Sequence, residues 1–482
     1  MNYTEMIVFI VYFVFMLGIG VFFFLRSKDA GEKDYFLGGR KMGAWVSALS
    51  AGASDMSAWV LMGLPASIYA AGMGQTWIAI GLGIGYAASW ILEAPRLRRF
   101  SIEADDSITI PQYLTNRFLS KSKALQILCA AIFLVAYTIY AASSIKACGT
   151  LFNTVMNIDA NVAMYIAAFI IIVYTFLGGF SAVCWTDFFQ GLLMLAALLI
   201  APIFALALIN SGSMGAAAPL PEGYFNFWTS WQDVLSGLGW GLGYFGMPHI
   251  IIRFMSLKSE KELRKSSVIG ISWTTIILVM SVLSGVVGRM FLGEIEDSSV
   301  VFITMTRKIF PALISGILLS AILSAAMSTA DSQLLSSASA FANDLYKPVL
   351  HKNASNKEML WASRLIVMGI SIVALIIASN PNSGTIMALV ENAWGVFGAA
   401  FGPVIMLSLF WKRFTFSGAV AGIAVGALVD ILWLVFLSST GLYEIIPGFI
   451  AALIAAVVVS LCSPAPSKEV EELFERASKP EA

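Results

Sequence analysis

Long apolar runs recur along this chain, and each is long enough to cross a membrane. A spanning helix needs about 20 mostly apolar residues to cross a hydrocarbon core of about 30 Å. Thirteen segments qualify, at approximately 5–25, 43–70, 75–95, 124–152, 160–178, 188–210, 233–256, 267–292, 311–342, 359–379, 384–411, 415–437 and 443–463. Spans of this length form helices because lipid leaves backbone groups no other partner. The sequence therefore predicts an all-α polytopic membrane protein with about 13 transmembrane helices.

The basic residues support this count and predict an orientation. Cytoplasmic loops of membrane proteins carry an excess of Lys and Arg. With the N-terminus outside, 25 of the 29 basic residues fall on the inner side, whereas Arg289, Arg307 and Lys308 fall outside and Lys146 lies within a helix. The first apolar run has no basic residue before Arg26 and is too long for a cleavable signal. We expect a multi-pass protein of the cell membrane with a cytoplasmic C-terminus.

Composition and motifs argue against several classes of function. Only 12% of residues are charged, against about 25% in soluble domains, so one transmembrane domain is expected over 1–463. The tail, 464–482, is predicted to form a short charged helix. Without a phosphate-binding GxxxxGK[ST] motif, ATP-driven transport is not expected, and no nucleophile–base set or organic cofactor motif suggests an enzyme. Zero net charge and four scattered cysteines indicate neither nucleic-acid binding nor a disulfide framework. No obligate protein partner is indicated.

Two of the apolar segments carry helix-breaking residues. They are LSAGASDMSAWVLMGLP (49–65) and SGLGWGLGYFGMPH (236–249), the second with five glycines and a proline. Each glycine costs about 1 kcal/mol relative to alanine in a helix, and transporters commonly build their sites from broken helices at matching positions of two repeats. The spacing predicts a five-plus-five helix core, with repeats of about 43–210 and 233–411. The alternative is two glycine-rich packing surfaces with local kinks.

A polar stripe runs along the segment SAILSAAMSTADSQLLSSAS (320–339). Its residues recur at steps of three and four, which places them on one helix face: Ser320, Ser324, Ser328, Asp331, Ser332, Ser336 and Ser339. Stripes of this kind often only hold helices together. However, a sodium ion needs several hard oxygen ligands, and the hydroxyls of Ser328 and Thr329 with carbonyls freed at a helix break would supply them.

Ionisable residues inside membrane segments are functional candidates by default. Asp55 lies in the first break, Asp187 near the start of a span, and Asp331 on the serine stripe. A helix N-cap is the alternative role for Asp187. Lys146 is expected to extend toward the membrane surface, and Glu391 is an acid within a span that has no evident partner.

Aromatic residues near the second break suggest a pocket for a small organic solute. Trp240 and Tyr244 are four residues apart and Pro248 follows, while Tyr137 and Tyr140 share a face of the fourth span. Aromatic walls suit a partly apolar solute, and backbone donors at a half-helix end suit a carboxylate. Ordinary packing between helices is the alternative for each residue.

Six stretches occur in order along nearly the whole chain. They are YFLGGR (35–40), LSAGASDMSAWVLMGLP (49–65), YTFLGGFSAVCWTD (174–187), GWGLGYFGMPHIIIRFM (239–255), GILLSAILSAAMST (316–329) and GLYEIIPGF (441–449). Together they resemble the sodium/solute symporter family, and within it the sodium/proline symporters. The resemblance implies thirteen helices and a LeuT-like core of two inverted repeats.

The resemblance also implies roles for individual residues. The implied sodium ligands are the carbonyls of Ala53, Met56 and Ala325 and the hydroxyls of Ser328 and Thr329. Residues implied in cation coupling are Arg40, Asp55, Ser57 and Asp187, and those implied in substrate binding are Tyr140, Trp240, Tyr244 and Pro248. A second cation, as in some family members, would use Asp187, Ser328, Asp331 and Ser332. We expect Asp55 to hold the break open through Ser57 or neighbouring backbone rather than to bind sodium.

Four positions depart from the pattern of similar proline carriers. Ala58 stands where glycine is usual, Met247 stands where glutamine is usual, and Asp331 and Ser332 follow Thr329. These differences leave the implied sodium ligands unchanged, but they make the identity of the substrate less certain to follow from the resemblance. The expected function is sodium-coupled uptake of L-proline by alternating access. The alternatives are another small amino acid or carboxylate as substrate, and a sensor or channel built on a transporter fold.

Overall fold

The computed structural model describes residues 3–26, 32–177, 179–213 and 217–480, and within these ranges the chain is almost entirely helical. The only β-pairing among them is an isolated bridge between Met42 and Leu257. The α-helices are α1 (Tyr3–Arg26), α2 (Glu32–Leu37), α3 (Ala44–Asp55), α4 (Gly63–Ala71), α5 (Thr76–Ala88), α6 (Ala94–Glu103), α7 (Ile110–Arg117), α8 (Ala124–Met156), α9 (Ala160–Leu177), α10 (Phe180–Asn210), α11 (Trp231–Gly239), α12 (Pro248–Ser256), α13 (Glu260–Leu292), α14 (Val301–Ile309), α15 (Ala312–Ala340), α16 (Asn356–Ser379), α17 (Ile386–Phe410), α18 (Phe416–Phe436), α19 (Ile445–Cys462) and α20 (Lys468–Ser478).

Ten continuous helical stretches in the described ranges are long and apolar enough to cross a membrane. They correspond to ten of the thirteen predicted segments. The segment at 160–178 forms α9, whose apolar part is shorter, and the segments at 43–70 and 233–256 are both interrupted. A membrane location is therefore clear, whereas the count of thirteen stays a prediction.

The first interruption separates α3 from α4. Helix α3 ends at Asp55, and Met56 leaves the helical region with φ −75° and ψ 67°. Ser57 then caps a single 3₁₀ turn, Ala58–Val60, before α4 begins at Gly63. The predicted break is confirmed, and it lies within the membrane-length segment rather than in a surface loop.

The second interruption separates α11 from α12. A 3₁₀ segment, Trp240–Phe245, follows α11, and α12 restarts with Pro248 in its first turn. Proline is favourable there because the first helical residues have no intrahelical acceptor for an N–H. The glycines also permit close packing: a Cβ on Gly243 would lie 1.9 Å from Nε1 of Trp394. Both sequence interpretations, a broken helix and a tight packing surface, therefore apply here.

Helix α15 forms the centre of the molecule. It packs against α8 and α10 and also contacts α3, and its stripe residues Ser320, Ser324 and Ser328 are all buried. The predicted tail helix is α20, which packs against α6. These contacts bring the serine stripe against the first break.

Candidate cation and substrate site

The end of α3 exposes a backbone carbonyl to the serine stripe. Ser57 N–H donates to the Asp55 carbonyl at 2.8 Å rather than to Ala53, whose carbonyl would be its partner in a continuous helix. The Ser328 hydroxyl instead donates to the Ala53 carbonyl at 2.8 Å and lies 3.2 Å from the Ala325 carbonyl. Three neutral oxygens from two helices thus meet at one buried point.

The other two predicted sodium ligands lie beside this point in sequence. Met56 follows the end of α3 and is fully buried. Thr329 is also fully buried, and its hydroxyl has no hydrogen-bond partner among the described residues. An unpartnered buried hydroxyl is costly unless a ligand satisfies it. We call Ala53, Met56, Ala325, Ser328 and Thr329 the neutral cage.

Asp55 joins the two broken helices. Its Oδ2 accepts a hydrogen bond of 2.6 Å from the Tyr244 hydroxyl, which belongs to the second break. The prediction that the Asp55 side chain would bond to Ser57 or nearby backbone is wrong, because its hydrogen-bond partner among the described residues is Tyr244. The other Asp55 oxygen is buried and has no partner among the described residues.

Aromatic rings surround the second break. The Trp240 ring centroid lies 6.4 Å from that of Trp59, and Tyr244 meets Trp394 edge to face at 5.0 Å. Tyr140 is fully buried, and its hydroxyl has no hydrogen-bond partner among the described residues. The structure thus brings Trp240 and Tyr244 together with Asp55, and it leaves one polar atom each of Asp55 and Tyr140 buried without a partner among the described residues.

Sequence reasoning did not single out two of these aromatic residues. Trp59 lies inside the first quoted stretch, and Trp394 lies three residues after Glu391. The Trp394 indole N–H donates to the Trp240 carbonyl at 2.8 Å. This carbonyl lies within the second break, and Trp394 gives it a hydrogen-bond donor. The signal was a tryptophan beside a helix break in the first case, and a tryptophan near an acid within a predicted span in the second.

His249, at the start of α12, links both breaks. Its Nε2 lies 3.2 Å from the Ser54 carbonyl, which only accepts, so this nitrogen carries the proton. Nδ1 then accepts from the Tyr137 hydroxyl at 3.2 Å, and His249 N–H donates to that same oxygen at 2.9 Å. The imidazole therefore has a defined orientation at the start of α12.

A charged cluster lies next to the neutral cage. Asp187 Oδ2 accepts hydrogen bonds from Ser50 at 2.6 Å and from Arg253 at 3.2 Å. Arg253 also donates to Ser332 at 2.6 Å, and Ser332 lies 3.3 Å from Asp331. We call Ser50, Asp187, Arg253, Asp331 and Ser332 the guanidinium cluster.

Two sequence interpretations change at this cluster. Asp187 lies in the second turn of α10, whose N-cap is Gly179, so the N-cap role is wrong. Arg253 was counted with the cytoplasmic loops, but it lies in α12 and is 1% exposed. Its guanidinium lies between Asp187 and Ser332, two of the four residues suggested for a second cation.

Arg40 lies apart from both clusters. Its guanidinium bonds to Asp106 at 2.8 Å, to the Met255 carbonyl at 2.6 Å and to the Ser107 carbonyl at 2.9 Å. These contacts tie the segment before α3 to the loop after α6 and to the end of α12. Arg40 is therefore positioned to connect the ends of the broken helices rather than to bind the ion.

Lys146 also has specific partners. Its ammonium group donates to the Ser383 hydroxyl at 3.1 Å and to the Gly384 carbonyl. This places it at the loop before α17, in agreement with the expectation that it extends toward a membrane surface.

Similar proteins were found by both sequence and structure. A high-affinity proline transporter, PutP, of Bacillus subtilis is 43% identical over 95% of this chain and 98% of its own length. An osmoregulated proline transporter, OpuE, of the same organism is 42% identical over 96% of each chain. A sodium/proline symporter of Staphylococcus aureus is 42% identical over 98% of this chain and 95% of its own length.

Solved structures show the same fold at low identity. A Na⁺-coupled sialic acid symporter matches 97% of this chain and 99% of its own with a TM-score of 0.79 and 20% identity. Mhp1, a nucleobase-cation-symport-1 family transporter, matches 91% of this chain and 97% of its own with a TM-score of 0.58 and 14% identity. The LeuT-like fold with two broken helices is confirmed.

A family model described as the sodium:solute symporter family matches residues 35–426. That range contains both breaks, the neutral cage and the guanidinium cluster. Together with identities above 40% over nearly the full length, the match shows that this chain is a sodium-coupled membrane transporter, not an enzyme, and belongs to the sodium:solute symporter family.

Proposed function

We propose that this chain carries L-proline into the cell together with Na⁺, by alternating access between the two sides of the membrane. Three relatives of similar length are named as proline transporters. The observation that carries the proposal is the 2.8 Å bond from Ser328 to the freed Ala53 carbonyl. It brings helix α15 and the first break together at oxygens that suit sodium.

In the proposed cycle, Na⁺ binds first at the neutral cage. The carbonyls of Ala53, Met56 and Ala325 and the hydroxyls of Ser328 and Thr329 act as ligands, and the ion takes over the contact that Ser328 now makes with Ala53. Because every ligand is neutral, affinity stays modest and release is possible where sodium is scarce. Binding that favours one arrangement of α3 against α15 shifts the population toward it.

Proline then binds between the two breaks. Its carboxylate is proposed to face backbone N–H groups at the first break, and its ring to lie among Tyr140, Trp240, Tyr244 and Pro248. The hydrogen bond from Tyr244 to Asp55 connects this pocket to α3, two residues from the cage carbonyl of Ala53. Asp55, Ser57, Asp187 and Arg40 are accordingly proposed to couple the sites rather than to bind sodium.

We also propose one sodium ion per proline. A second cation at Asp187, Ser328, Asp331 and Ser332 would compete with Arg253, which already donates to Asp187 and Ser332. Ser328 is part of the neutral cage. The protein thus supplies a fixed positive charge at the place where a second ion would bind.

The proposed orientation has the N-terminus outside and the tail 464–482 in the cytoplasm. It follows from the distribution of basic residues, since the sequence places 25 of 29 on one side. The proposed core repeats, about 43–210 and 233–411, each begin with a segment that the structure shows to be broken.

Proline uptake by proteoliposomes, measured with and without an inward sodium gradient, tests the proposal. We expect the gradient to stimulate uptake in the wild type and not in a Ser328→Ala/Thr329→Ala double variant. Stimulation that survives both substitutions would show that the cage is misplaced. Competition by other amino acids and small carboxylates tests the substrate, because a competitor that binds more tightly than proline would replace it in the proposal.

A further inference from the structure

An acidic cavity lies between the second break and helices α17 to α19. Its volume is about 340 Å³, and its walls include Asp233, Trp240, Glu391, Tyr443 and Glu444. Among the described residues that line it, three are carboxylic acids and none is Lys, Arg or His. The proposed orientation makes this the extracellular side.

Behind the cavity wall, Asp430 on α18 is completely buried. Neither of its carboxylate oxygens has a hydrogen-bond partner among the described residues, and the same is true of Oε1 of Glu444, which is 6% exposed. A buried carboxylate without a partner is expensive because the charge loses its hydration. A bound cation near Asp430 and Glu444 would therefore stabilise the folded protein.

Gly395 on α17 shows that the two acids share one space. A Cβ built on Gly395 would lie 2.9 Å from Asp430 Oδ1 and 3.5 Å from Glu444 Oε1. Both oxygens therefore border the same small space beside residue 395, which is too tight for a Cβ and accommodates them because that residue is glycine. Three helices contribute to it: α17 through Gly395, α18 through Asp430, and the start of α19 through Glu444.

The surroundings provide little compensation from the protein. The Tyr443 hydroxyl donates its hydrogen bond to the Glu391 backbone carbonyl at 2.9 Å. The Trp240 ring packs on the Tyr443 ring, with their centroids 5.2 Å apart. In the described part of the chain, no group of three or more acids, histidines or cysteines is arranged to hold a metal ion. Two convergent carboxylates instead suit a single monovalent cation.

We propose that Asp430 and Glu444 form a binding site for one monovalent cation, Na⁺ or a proton, that enters from the cavity past Glu391. The site shares no residue with the neutral cage and goes beyond the proposed function. Its occupancy links α18 and α19, which follow the proposed core, to α17.

Thermal unfolding of the purified full-length protein tests this site without relying on transport. The measurement is made in a Ser328→Ala background, so that sodium binding at the cage does not dominate, in Na⁺ buffer and in choline buffer. A cation that binds only the folded state raises the melting temperature. If Na⁺ occupies the site, we expect a Na⁺-dependent rise that becomes clearly smaller when Asp430→Asn and Glu444→Gln are added, the remainder being due to the weakened cage.

A pH series in choline buffer distinguishes a proton from Na⁺. If the proton is the ligand, the melting temperature in the Ser328→Ala background rises as pH falls toward 6, and the two amide substitutions remove that rise. Glu5→Gln is the matched control, since Glu5 is equally buried but already bonds to Ser315 at 2.8 Å and to Arg307 at 3.3 Å. It should change neither response.

The proposal is overturned if the amide variants respond to Na⁺ and to pH as their parent does. The single substitutions are measured as well, so that a failure of the combined variant to fold does not end the test. Because the readout is unfolding, an error in the assignment of proline or of the cage would leave this result interpretable.

Discussion

The neutral cage and the guanidinium cluster lie side by side in the protein, yet they satisfy buried polar groups in opposite ways. The cage combines carbonyls and hydroxyls of α3 and α15, with the Ser328 hydroxyl 2.8 Å from the Ala53 carbonyl. The guanidinium cluster combines charges, with Arg253 3.2 Å from Asp187 and both residues at most 1% exposed. The cage is suited to an ion that binds and leaves, whereas the guanidinium cluster contains a permanent positive charge, the side chain of Arg253.

This difference bears on how such a transporter releases its ion. A site built from neutral oxygens binds a cation without an opposing full charge, so the ion leaves when its concentration falls. Removing one member of a buried ion pair, by contrast, leaves the other charge uncompensated and is strongly unfavourable. We therefore assign exchange of sodium to the cage and structural support of α3, α10 and α12 to the cluster.

The largest expected effect comes from Arg253→Ala. The substitution leaves the Asp187 carboxylate buried and unpaired, which destabilises folded proteins by about 3–5 kcal/mol. Thermal unfolding in detergent should show a large drop in the melting temperature, and the double variant with Asp187→Asn should recover much of it. Arg264→Ala, at an exposed position, is the control. An Arg253→Ala protein as stable as the wild type would remove the distinction between the two clusters.

Tyr244→Phe should have the next largest effect. It removes the 2.6 Å hydrogen bond to buried Asp55, and a buried acceptor left without its partner costs about 1–3 kcal/mol. We expect proline uptake at subsaturating proline to fall by roughly tenfold or more. Tyr86→Phe is the matched control, because the Tyr86 ring packs on Tyr244 at 5.2 Å and its hydroxyl has no hydrogen-bond partner among the described residues. Equal losses in both variants would argue against a role for the Asp55 bond.

Ser328→Ala tests the cage itself, and its expected effect is smaller than that of Tyr244→Phe. It removes one neutral ligand, and we expect the sodium concentration for half-maximal uptake to rise about tenfold, or roughly 1.4 kcal/mol, with little loss of stability. Ser320→Ala is the control on the same stripe, since Ser320 bonds within its own helix to the Gly316 carbonyl at 2.8 Å. An unchanged sodium dependence in Ser328→Ala, or an equal change in Ser320→Ala, would contradict the assignment.

The smallest effect is expected at Asp106, an acid outside the spanning helices. Partial burial raises the pKa of this carboxyl, but the hydrogen bonds and charges of Lys33 and Arg40 outweigh it, so that the pKa lies below its ordinary value. A lowered pKa means that the ion pairs stabilise the fold above the ordinary pKa of Asp, and that this contribution is lost as pH falls through the lowered pKa. Because the Asp106 side chain is 45% exposed, the contribution should stay below about 1 kcal/mol.

Asp106→Asn should remove this acid-dependent loss of stability, measured by unfolding between neutral pH and pH 3. Asparagine tolerates the positive φ of 47° at this position, so backbone strain does not obscure the result. If Asp106→Asn lowers the melting temperature as much as Arg253→Ala does, solvent exposure does not distinguish the two ion pairs. The contrast between a buried ion pair and a solvent-screened one would then fail.

Much of this organisation could be predicted from the sequence because it follows from local chemistry. Apolar length predicted the membrane helices, and the glycines and proline near Trp240 predicted the second break. The four-residue steps of Ser320, Ser324 and Ser328 predicted one buried face. The resemblance then suggested the cage ligands, and the structure brings Ala53, Ala325 and Ser328 to one point.

Other features depended on contacts between residues far apart in the chain. Asp55 bonds to Tyr244, 189 positions away, and not to its neighbour Ser57. Arg253 looked like part of a cytoplasmic loop but pairs with Asp187 inside the protein. Asp430 attracted no attention in the sequence, because its unpartnered state arises only when α17, α18 and α19 pack together.

By itself, then, the sequence determined which segments are long and apolar enough to cross a membrane, where two of them break and which residue types are available for an ion. Those properties depend on hydrophobicity and backbone preference over short stretches. Only the tertiary structure decided which carbonyl faces Ser328, which cation neutralises Asp187 and which acids share the gap at Gly395. The physical reason is that a buried polar or charged group takes its partner from whichever helix is packed against it, and that neighbour is set by the fold as a whole.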